Sequence, residues 1–321
     1  MTLTVQDGAE LVKRVRDVVA TRIVGQDAAI EDVLATFLAR GHALIEGVPG
    51  TAKTLLVRTV ANALSVRFTR IQFTPDLMPA DVTGVSLYRD PTRGFEFQPG
   101  PVFTDLLLAD EINRAPAKTQ SALLEAMGER QVTADGKTHA LDPLFTVLAT
   151  QNPVEHEGTF PLPEAQLDRF LMKVIVGYPP ADAEAKMLEI HESGFDPEKG
   201  GGAAIVEPVL SADQARQIRQ LVDQVHVAPE VRDYIASITR STRDDPGFML
   251  GASPRASVAL MRASRASAVI DGRDFVSPDD VKARALAVLR HRVILAPELG
   301  VEGRTADEVL TALLTRVVAP T

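Results

Sequence analysis

Cysteine is absent from the 321-residue sequence, which excludes disulfide bonds and thiolate metal ligands. The six histidines are scattered and form no pair at a ligand spacing such as HExxH. No apolar run approaches the roughly 20 residues needed to cross a bilayer, and residues 1–16 lack the apolar core of a secretory signal. We therefore expect a soluble, cytoplasmic protein that holds no metal through cysteine or histidine.

An excess of basic residues is also missing. The chain has 34 Lys and Arg against 43 Asp and Glu, a net charge of −9, and an isoelectric point of about 5.3. Tryptophan is absent and aromatic residues make up only 5 %, which leaves little for base stacking. A local basic cluster, formed by Arg284, Arg290, His291 and Arg292, is expected to be a solvated helix face. Nucleic acid is therefore not expected as a direct substrate.

The pattern of apolar residues predicts an α/β core followed by a helical domain. Short apolar runs with little polar alternation are typical of parallel strands covered on both faces. Helical patterns such as Lys53 to Leu64 and Pro116 to Met127 separate them, which favours an α/β layer fold. We predict a nucleotide-binding core over 1–192, a linker over 193–208 and a helical lid over 209–321. The predicted strands are Ala43 to Glu46, Val66 to Gln72, Phe103 to Ala109, Leu144 to Thr150 and Lys173 to Val176.

Two turn-rich segments, 85–101 and 130–141, interrupt the core and are predicted to be inserted β-hairpins. The loop 193–202 is rich in Gly, Pro and charge, and only helical patterns follow it. Ser211 is predicted to cap one of these helices, and Ser-Pro pairs at 253–254 and 277–278 are predicted to begin two more. The C-terminal domain should therefore be all-helical.

The run Gly47-Val48-Pro49-Gly50-Thr51-Ala52-Lys53-Thr54 lies between a predicted strand and a predicted helix. This is the phosphate-loop arrangement GxxxxGK[ST], in which backbone N–H groups face phosphates at a helix N-terminus. Lys53 would meet the β- and γ-phosphates, and the Thr54 hydroxyl would bind Mg²⁺. Ala52 replaces the usual glycine, and we expect a negative φ there. A chance turn is the alternative. The nucleotide-binding residues are predicted to be Gly47, Pro49, Gly50, Thr51, Ala52, Lys53, Thr54 and Leu55.

Polar residues close two further strands. Asp110 and Glu111 follow the apolar run Leu106 to Ala109. The first is suited to contact Mg²⁺, directly or through water, and the second to polarise the attacking water. Asn152 ends another apolar strand and could reach the γ-phosphate or that water, although such residues are often turn formers. The pattern predicts an ATP- and Mg²⁺-dependent hydrolase.

Five blocks of sequence are similar to those of the MoxR family of AAA+ ATPases. They occur in the family's order within residues 20–290: Gly47 to Thr54, Ala109 to Met127, Ala149 to Pro153, Leu162 to Phe170 and Gly251 to Ala256. The resemblance implies a P-loop AAA+ core with a central parallel sheet, inserted hairpins and a small lid.

The resemblance also implies roles that spacing alone does not. Asn152 matches sensor 1, and Arg169 matches the arginine finger that reaches the ATP of a neighbouring subunit. The alternative for Arg169 is a surface residue paired with the adjacent Asp168. Arg255 matches sensor 2, acting on its own or the neighbour's nucleotide. Val24 and Gly25 match the segment that lines adenine, with a plain helix start as the alternative.

A ring, expected to be a hexamer, is implied for the assembly, with motion passed to a client protein. The family is associated with maturation of partners, including metal or cofactor insertion, and with von Willebrand factor A domain proteins. The hairpins would then contact the client. Three alternatives remain open from the residues: a phosphotransferase, a DNA-directed ring and a nucleotide-gated scaffold.

Overall fold

A computed structural model describes residues 3–90, 94–152, 158–194 and 205–320. Its strands are β1 (Ala43–Glu46), β2 (Phe68–Gln72), β3 (Gly84–Asp90), β4 (Gly94–Pro99), β5 (Leu106–Asp110), β6 (Gln131–Ala134), β7 (Lys137–Ala140), β8 (Thr146–Gln151), β9 (Met172–Ile175), β10 (Phe248–Leu250) and β11 (Ile294–Leu295). Its helices are α1 (Val5–Ala20), α2 (Asp27–Leu38), α3 (Lys53–Ala63), α4 (Pro79–Thr83), α5 (Ala117–Glu129), α6 (Glu164–Leu167), α7 (Ala181–Glu192), α8 (Ala212–Gln224), α9 (Pro229–Asp244), α10 (Pro254–Ile270), α11 (Pro278–Leu289), α12 (Pro297–Val301) and α13 (Ala306–Arg316), with a 3₁₀ turn at Ile112–Arg114.

The five predicted core strands form one parallel sheet, in the order β2-β5-β8-β1-β9. Its central strands β5 and β8 are almost wholly buried, as their continuous apolar runs predict. Strands β2 and β5 begin two to three residues later than predicted. The reason is an ion pair between Arg67 and Asp105 (2.7 Å), whose carboxylate also accepts from the Arg67 backbone N–H.

Both inserted hairpins are confirmed, as antiparallel pairs β3–β4 and β6–β7. Asp135 and Gly136 both have positive φ at the tip of the second, as an Asp-Gly hairpin turn requires. The hairpins touch through Phe97 and His139, whose rings stack with centroids 4.0 Å apart. Residues 91–93, within the first predicted turn, lie outside the described residues.

The C-terminal region is mainly helical, and its predicted caps are confirmed. Ser211 forms a capping box with Gln214, and Ser253 and Ser277 are N-caps followed by proline. The predicted helical lid is confirmed, with one departure: β10 and β11 pair as a short antiparallel ribbon, so the domain is not entirely helical. Buried Phe248 anchors this ribbon to the domain. The two strands are too short to show a strand pattern in the sequence. Because residues 195–204 lie outside the described part, the predicted domain boundaries stay predictions.

The expectation that the basic cluster on and just after α11 is a solvated helix face is wrong. Arg284, His291 and Arg292 are buried, and each has polar partners in the core. Arg284 donates to the Asp32 carboxylate at 2.6 Å and is also paired with Glu31. Arg284 on α11 and Arg292 just after it both pair with carboxylates of the core, so these cations cross-link lid and core. Within the described ranges, no helix is both long enough and apolar enough to cross a membrane.

Candidate active site

The carboxyl ends of three adjacent strands, β5, β8 and β1, meet at one edge of the sheet. A cavity of about 660 Å³ opens there. It is lined by the loop 49–55, by Asp110 and Glu111, and by residues 150–152. Open parallel α/β sheets bind ligands at this edge because the loops leaving adjacent strands diverge there. The structure therefore brings the predicted phosphate-loop, metal and catalytic residues of this edge together, Asn152 included.

The phosphate loop turns directly from β1 into α3, which begins at Lys53. The Lys53 ammonium donates to the carbonyls of Gly47 (2.7 Å) and Val48 (2.8 Å). Gly47 is not among the residues lining the cavity. A Cβ there would lie 2.3 Å from the Val176 carbonyl oxygen, so glycine allows the loop to pass the end of β9. The loop thus curls around the ammonium that would meet a phosphate.

Ala52 departs from expectation. It caps α3 with a φ of 59° and a ψ of 25°, in the left-handed region, whereas we expected a negative φ. A non-glycine residue there costs about 1–2 kcal/mol because its Cβ crowds the following carbonyl. The generic motif has glycine at this position for that reason. Strain of this kind is common where a loop must present its backbone to a ligand.

Asp110 is buried at the end of β5, with a hydrogen-bond partner on each carboxylate oxygen. Its Oδ2 accepts from the Thr54 hydroxyl (3.3 Å) and from Arg70 (2.7 Å), and its Oδ1 accepts from the Thr150 hydroxyl. The Thr54 hydroxyl and the Asp110 carboxylate are the oxygen ligands that Mg²⁺ accepts alongside phosphate and water. The donor set therefore fits the predicted metal.

Glu111 follows immediately, again in the left-handed region, with φ 55°. Its carboxylate accepts from Gln72 (2.7 Å) and from Arg114 (2.9 Å), and its side chain is 31 % exposed. The Glu111 backbone N–H donates to the Thr150 hydroxyl at 2.8 Å. The backbone turn takes this carboxylate off the strand and into the cavity, which buried Asn152 also lines.

Five residues that line this cavity were not predicted as site residues: Arg58, Arg70, Gln72, Thr150 and Gln151. Thr150 matters most for geometry, because its one hydroxyl orders both carboxylate residues. Arg70 and Gln72 are two residues apart in β2, so both side chains lie on one face of the sheet, and Gln72 lies in register with Asp110. This spacing is visible in the sequence, but it indicates the site only once β2 is known to lie beside β5.

Thr150→Val is expected to lower the free energy of unfolding by about 1–3 kcal/mol, because a buried N–H loses its acceptor. It should also lower turnover on the order of 10-fold, since Glu111 is no longer held in place. Chemical denaturation and steady-state ATPase assays measure the two effects. Thr150→Ser keeps the hydroxyl and is the matched control. Normal turnover in the valine variant would contradict this positioning role.

Arg169 and Arg255 lie elsewhere, at a second cavity of about 450 Å³. The residues lining it include 40–42, just before β1, and Leu171, just before β9. This cavity is thus at the amino edge of the parallel sheet, opposite the edge with the phosphate loop. None of its lining residues lines the first cavity.

The suggested pairing of Arg169 with Asp168 is wrong. Arg169 is exposed, and its guanidinium donates to the Leu124 carbonyl at 3.1 Å. The Asp168 carboxylate instead accepts from Arg292 (2.7 Å) and from the Ser253 hydroxyl (3.1 Å), both in the lid region. The adjacent side chains therefore point to different partners.

The second cavity is strongly basic. Six arginines line it, against two carboxylates. Burial lowers the pKa of Arg130 and of Arg262, and the nearby charge of Arg40 lowers both further. An anion entering here would relieve this repulsion, and arginine is the residue that best matches phosphate geometry.

Val24 and Gly25 do not line the first cavity. They lie just before α2, where Gly25 has a φ of 72°. A Cβ on Gly25 would lie 2.6 Å from the Ala183 Cβ, so the segment packs against the start of α7. Gln26 adds a hydrogen bond to the Gly177 carbonyl (2.8 Å). The segment is a helix start that is held against 177–183, and its predicted contact with adenine stays a prediction.

A phosphate loop at the carboxyl edge of this sheet, with acidic residues at the end of β5 two strands away, defines a P-loop ATPase of the AAA class. Comparison with known families agrees. Residues 42–172 match the ATPase family associated with various cellular activities (AAA), and residues 240–313 match the AAA lid domain.

Several relatives match over most of their length. The chain is 42 % identical to Chaperone MoxR1 of Mycobacterium tuberculosis, over 93 % of this chain and 79 % of that protein. It is 31 % identical to Protein MoxR of Methylorubrum extorquens, over 94 % and 93 %. It is 47 % identical to YeaC of Bacillus subtilis, over 89 % and 88 %. A crystal structure of a protein described as an ATPase, from Cytophaga hutchinsonii, superposes with a TM-score of 0.87 at 40 % identity, covering 98 % of this chain and 96 % of that one.

The chain belongs to the MoxR family of AAA+ ATPases. It binds nucleotide and hydrolyses ATP, and AAA+ ATPases usually form oligomeric rings.

Proposed function

We propose that this ATPase works as a ring in which each active site is shared by two subunits, and that the ring remodels a partner protein. The observation that carries the proposal is the separation of the two cavities. The phosphate loop follows the end of β1, whereas the cavity lined by Arg169 includes the residues just before β1. The four residues of β1 span about 13 Å.

An arginine side chain anchored at the amino edge cannot cross that span to its own phosphates. A neighbouring subunit can present its Arg169 to this ATP if the two edges face each other across a head-to-tail interface, and such interfaces close into rings. The proposal takes the ring to be a hexamer. The basic cavity supports this arrangement, because it would meet the polyphosphate of the adjacent subunit.

Within one subunit, the loop from Gly47 to Leu55 would bind ATP, with Lys53 at the β- and γ-phosphates. Thr54 and Asp110 would hold Mg²⁺, which neutralises developing phosphate charge when bound. Glu111 would orient and polarise the attacking water, and Asn152 would contact the γ-phosphate or that water. Arg169 would stabilise transition-state charge in trans.

Arg255 shares the basic cavity with Arg169. It lies in the first turn of α10, and Arg262 of the same helix donates to the carbonyls of Ala39 and Arg40, just before β1. The lid helix is thereby fixed at the amino edge. This position supports the proposal that Arg255 also acts on the neighbour's nucleotide, in trans.

The partner is proposed to be a client protein, with a von Willebrand factor A domain protein as the first candidate. The chaperone name of one relative supports a remodelling role. In the β3–β4 hairpin, Tyr88 and Phe95 form an edge-to-face pair and are 57 % and 74 % exposed. Exposed aromatics on an inserted hairpin suit contact with a polypeptide. A cytoplasmic location stays a prediction.

Lys53→Ala is expected to abolish ATP binding, because the phosphates lose their principal cation. Isothermal titration calorimetry with ATP and Mg²⁺ measures this directly. Lys118→Ala, on the exposed side of α5, is the control for loss of a lysine elsewhere. If Lys53→Ala bound ATP as the wild type does, the assignment of the phosphate loop would be wrong.

Mixing two inactive variants tests the shared site. Glu111→Gln subunits keep Arg169, and Arg169→Ala subunits keep Glu111, so neither pure assembly should turn over ATP. In a random mixed ring, roughly one interface in four joins an intact Glu111 to an intact Arg169. Activity should therefore return on mixing before assembly. A mixture as inactive as its components would exclude the shared site.

A further inference from the structure

Arg292 of the lid region lies beside the segment that carries Arg169. Its side chain is 3 % exposed. The guanidinium donates to the Asp168 carboxylate (2.7 Å) and to the carbonyls of Asp168 (3.2 Å), Phe170 (2.5 Å) and Leu171 (3.0 Å). It therefore binds the backbone on both sides of Arg169 but not Arg169 itself. The planar fork of five N–H groups makes this possible, since the three donors of a lysine ammonium sit on a single nitrogen and could not reach acceptors this far apart.

The same segment has a second attachment to the lid. Ser253 lies one residue before α10 and two before Arg255. Its hydroxyl donates a hydrogen bond to the Asp168 carboxylate (3.1 Å). Asp168 therefore links the turn that follows α11 to the N-terminus of α10. A charged group this deeply buried is stable only while its partners stay in place, so the contacts act as a unit.

We propose that Arg292 is a positioning residue, which fixes Arg169 relative to the lid so that the finger meets the neighbour's ATP. The inference rests on the shared active site proposed above. It identifies a physical connection between the lid of one subunit and the hydrolysis site of the next. A lid that shifts on its core must carry the backbone at 168–171 with it or break this set of hydrogen bonds.

A ring made only of Arg292→Lys subunits should show a lower kcat for ATP, on the order of 10-fold or more, because a finger misplaced by about 1 Å loses most of its effect. Its KM should change little, since the subunit's own phosphate loop lies at the opposite edge of the sheet. General damage to the fold would affect binding and turnover together. Ser253→Ala, which removes one contact and leaves the buried charge paired, should lower kcat less than Arg292→Lys.

The decisive experiment places Arg292→Lys in one or the other component of the complementing mixture. On the Glu111→Gln subunit, which donates the only intact finger, it should remove most of the restored activity. On the Arg169→Ala subunit, whose finger is already gone, it should leave the restored activity unchanged. A purely structural role would lower activity from either position.

Arg284→Lys provides the matched control. Arg284 is also a buried arginine that joins lid to core, through Asp32 and Glu31, but none of its polar partners is in the finger segment. On the finger-donating subunit it should leave the restored activity unchanged. Equal losses from both placements of Arg292→Lys, or no loss from either, would overturn the positioning role. An inactive parent mixture would overturn the shared site and this inference with it.

Discussion

Arg169→Ala is expected to lower ATP turnover of the assembled protein by about 10³–10⁵-fold while leaving ATP binding almost unchanged. The finger supplies positive charge when the γ-phosphoryl group transfers, and it makes no contact in its own subunit's nucleotide pocket. The prediction is checked by kcat from steady-state assays at saturating ATP and by Kd from calorimetry. Assembly should be confirmed by light scattering in the same buffer.

Arg216→Ala is a suitable control for that experiment. Arg216 is a partly exposed residue of α8 that pairs with Asp213 and Asp142, away from either cavity. Exposed ion pairs contribute little, so this variant should behave like the wild type. If Arg169→Ala retained its turnover while assembled, the arginine finger would be another residue.

Glu111→Gln is expected to bind ATP normally and to hydrolyse it about 10²–10⁴-fold more slowly, because an amide cannot take a proton from the attacking water. The substitution keeps the shape of the side chain. Its amide oxygen can still accept from Gln72 and Arg114, so the turn should persist. Single-turnover assays separate the chemical step from binding and product release.

Glu125→Gln, an exposed carboxylate on α5, controls for the loss of one negative charge. It should leave both binding and turnover unchanged. Near-normal turnover in Glu111→Gln would remove Glu111 from the mechanism. It would favour activation of the attacking water by Asp110, or positioning of that water by Asn152.

The main site residues were predictable because their chemistry is local in the sequence. The phosphate loop is one continuous run, and Asp110 with Glu111 ends an apolar strand, so each motif carries its own context. The sheet and both hairpins follow from apolar runs and turn residues that report on neighbouring positions. Resemblance to a known family adds roles that no local pattern contains, such as that of Arg169.

The errors share one physical cause, which is dependence on distant contacts. The sequence predicts a solvated face for Arg284 and Arg292, because the carboxylates and carbonyls that accept their hydrogen bonds lie far away in the chain. Thr150 was read only as part of the strand before Asn152, because its value comes from the register of β8 beside β5. The φ of Ala52 depends on how the loop closes over Lys53, not on helix propensity.

The steady-state ATPase rate per subunit, measured over a dilution series, tests the shared active site most directly. Light scattering on the same samples shows where the assembly dissociates. The shared site predicts a rate per subunit that falls as the ring dissociates and is restored at high concentration, with Arg169→Ala inactive throughout. A rate that stays constant while the assembly falls apart, and that survives the loss of Arg169, would mean that each subunit hydrolyses ATP on its own.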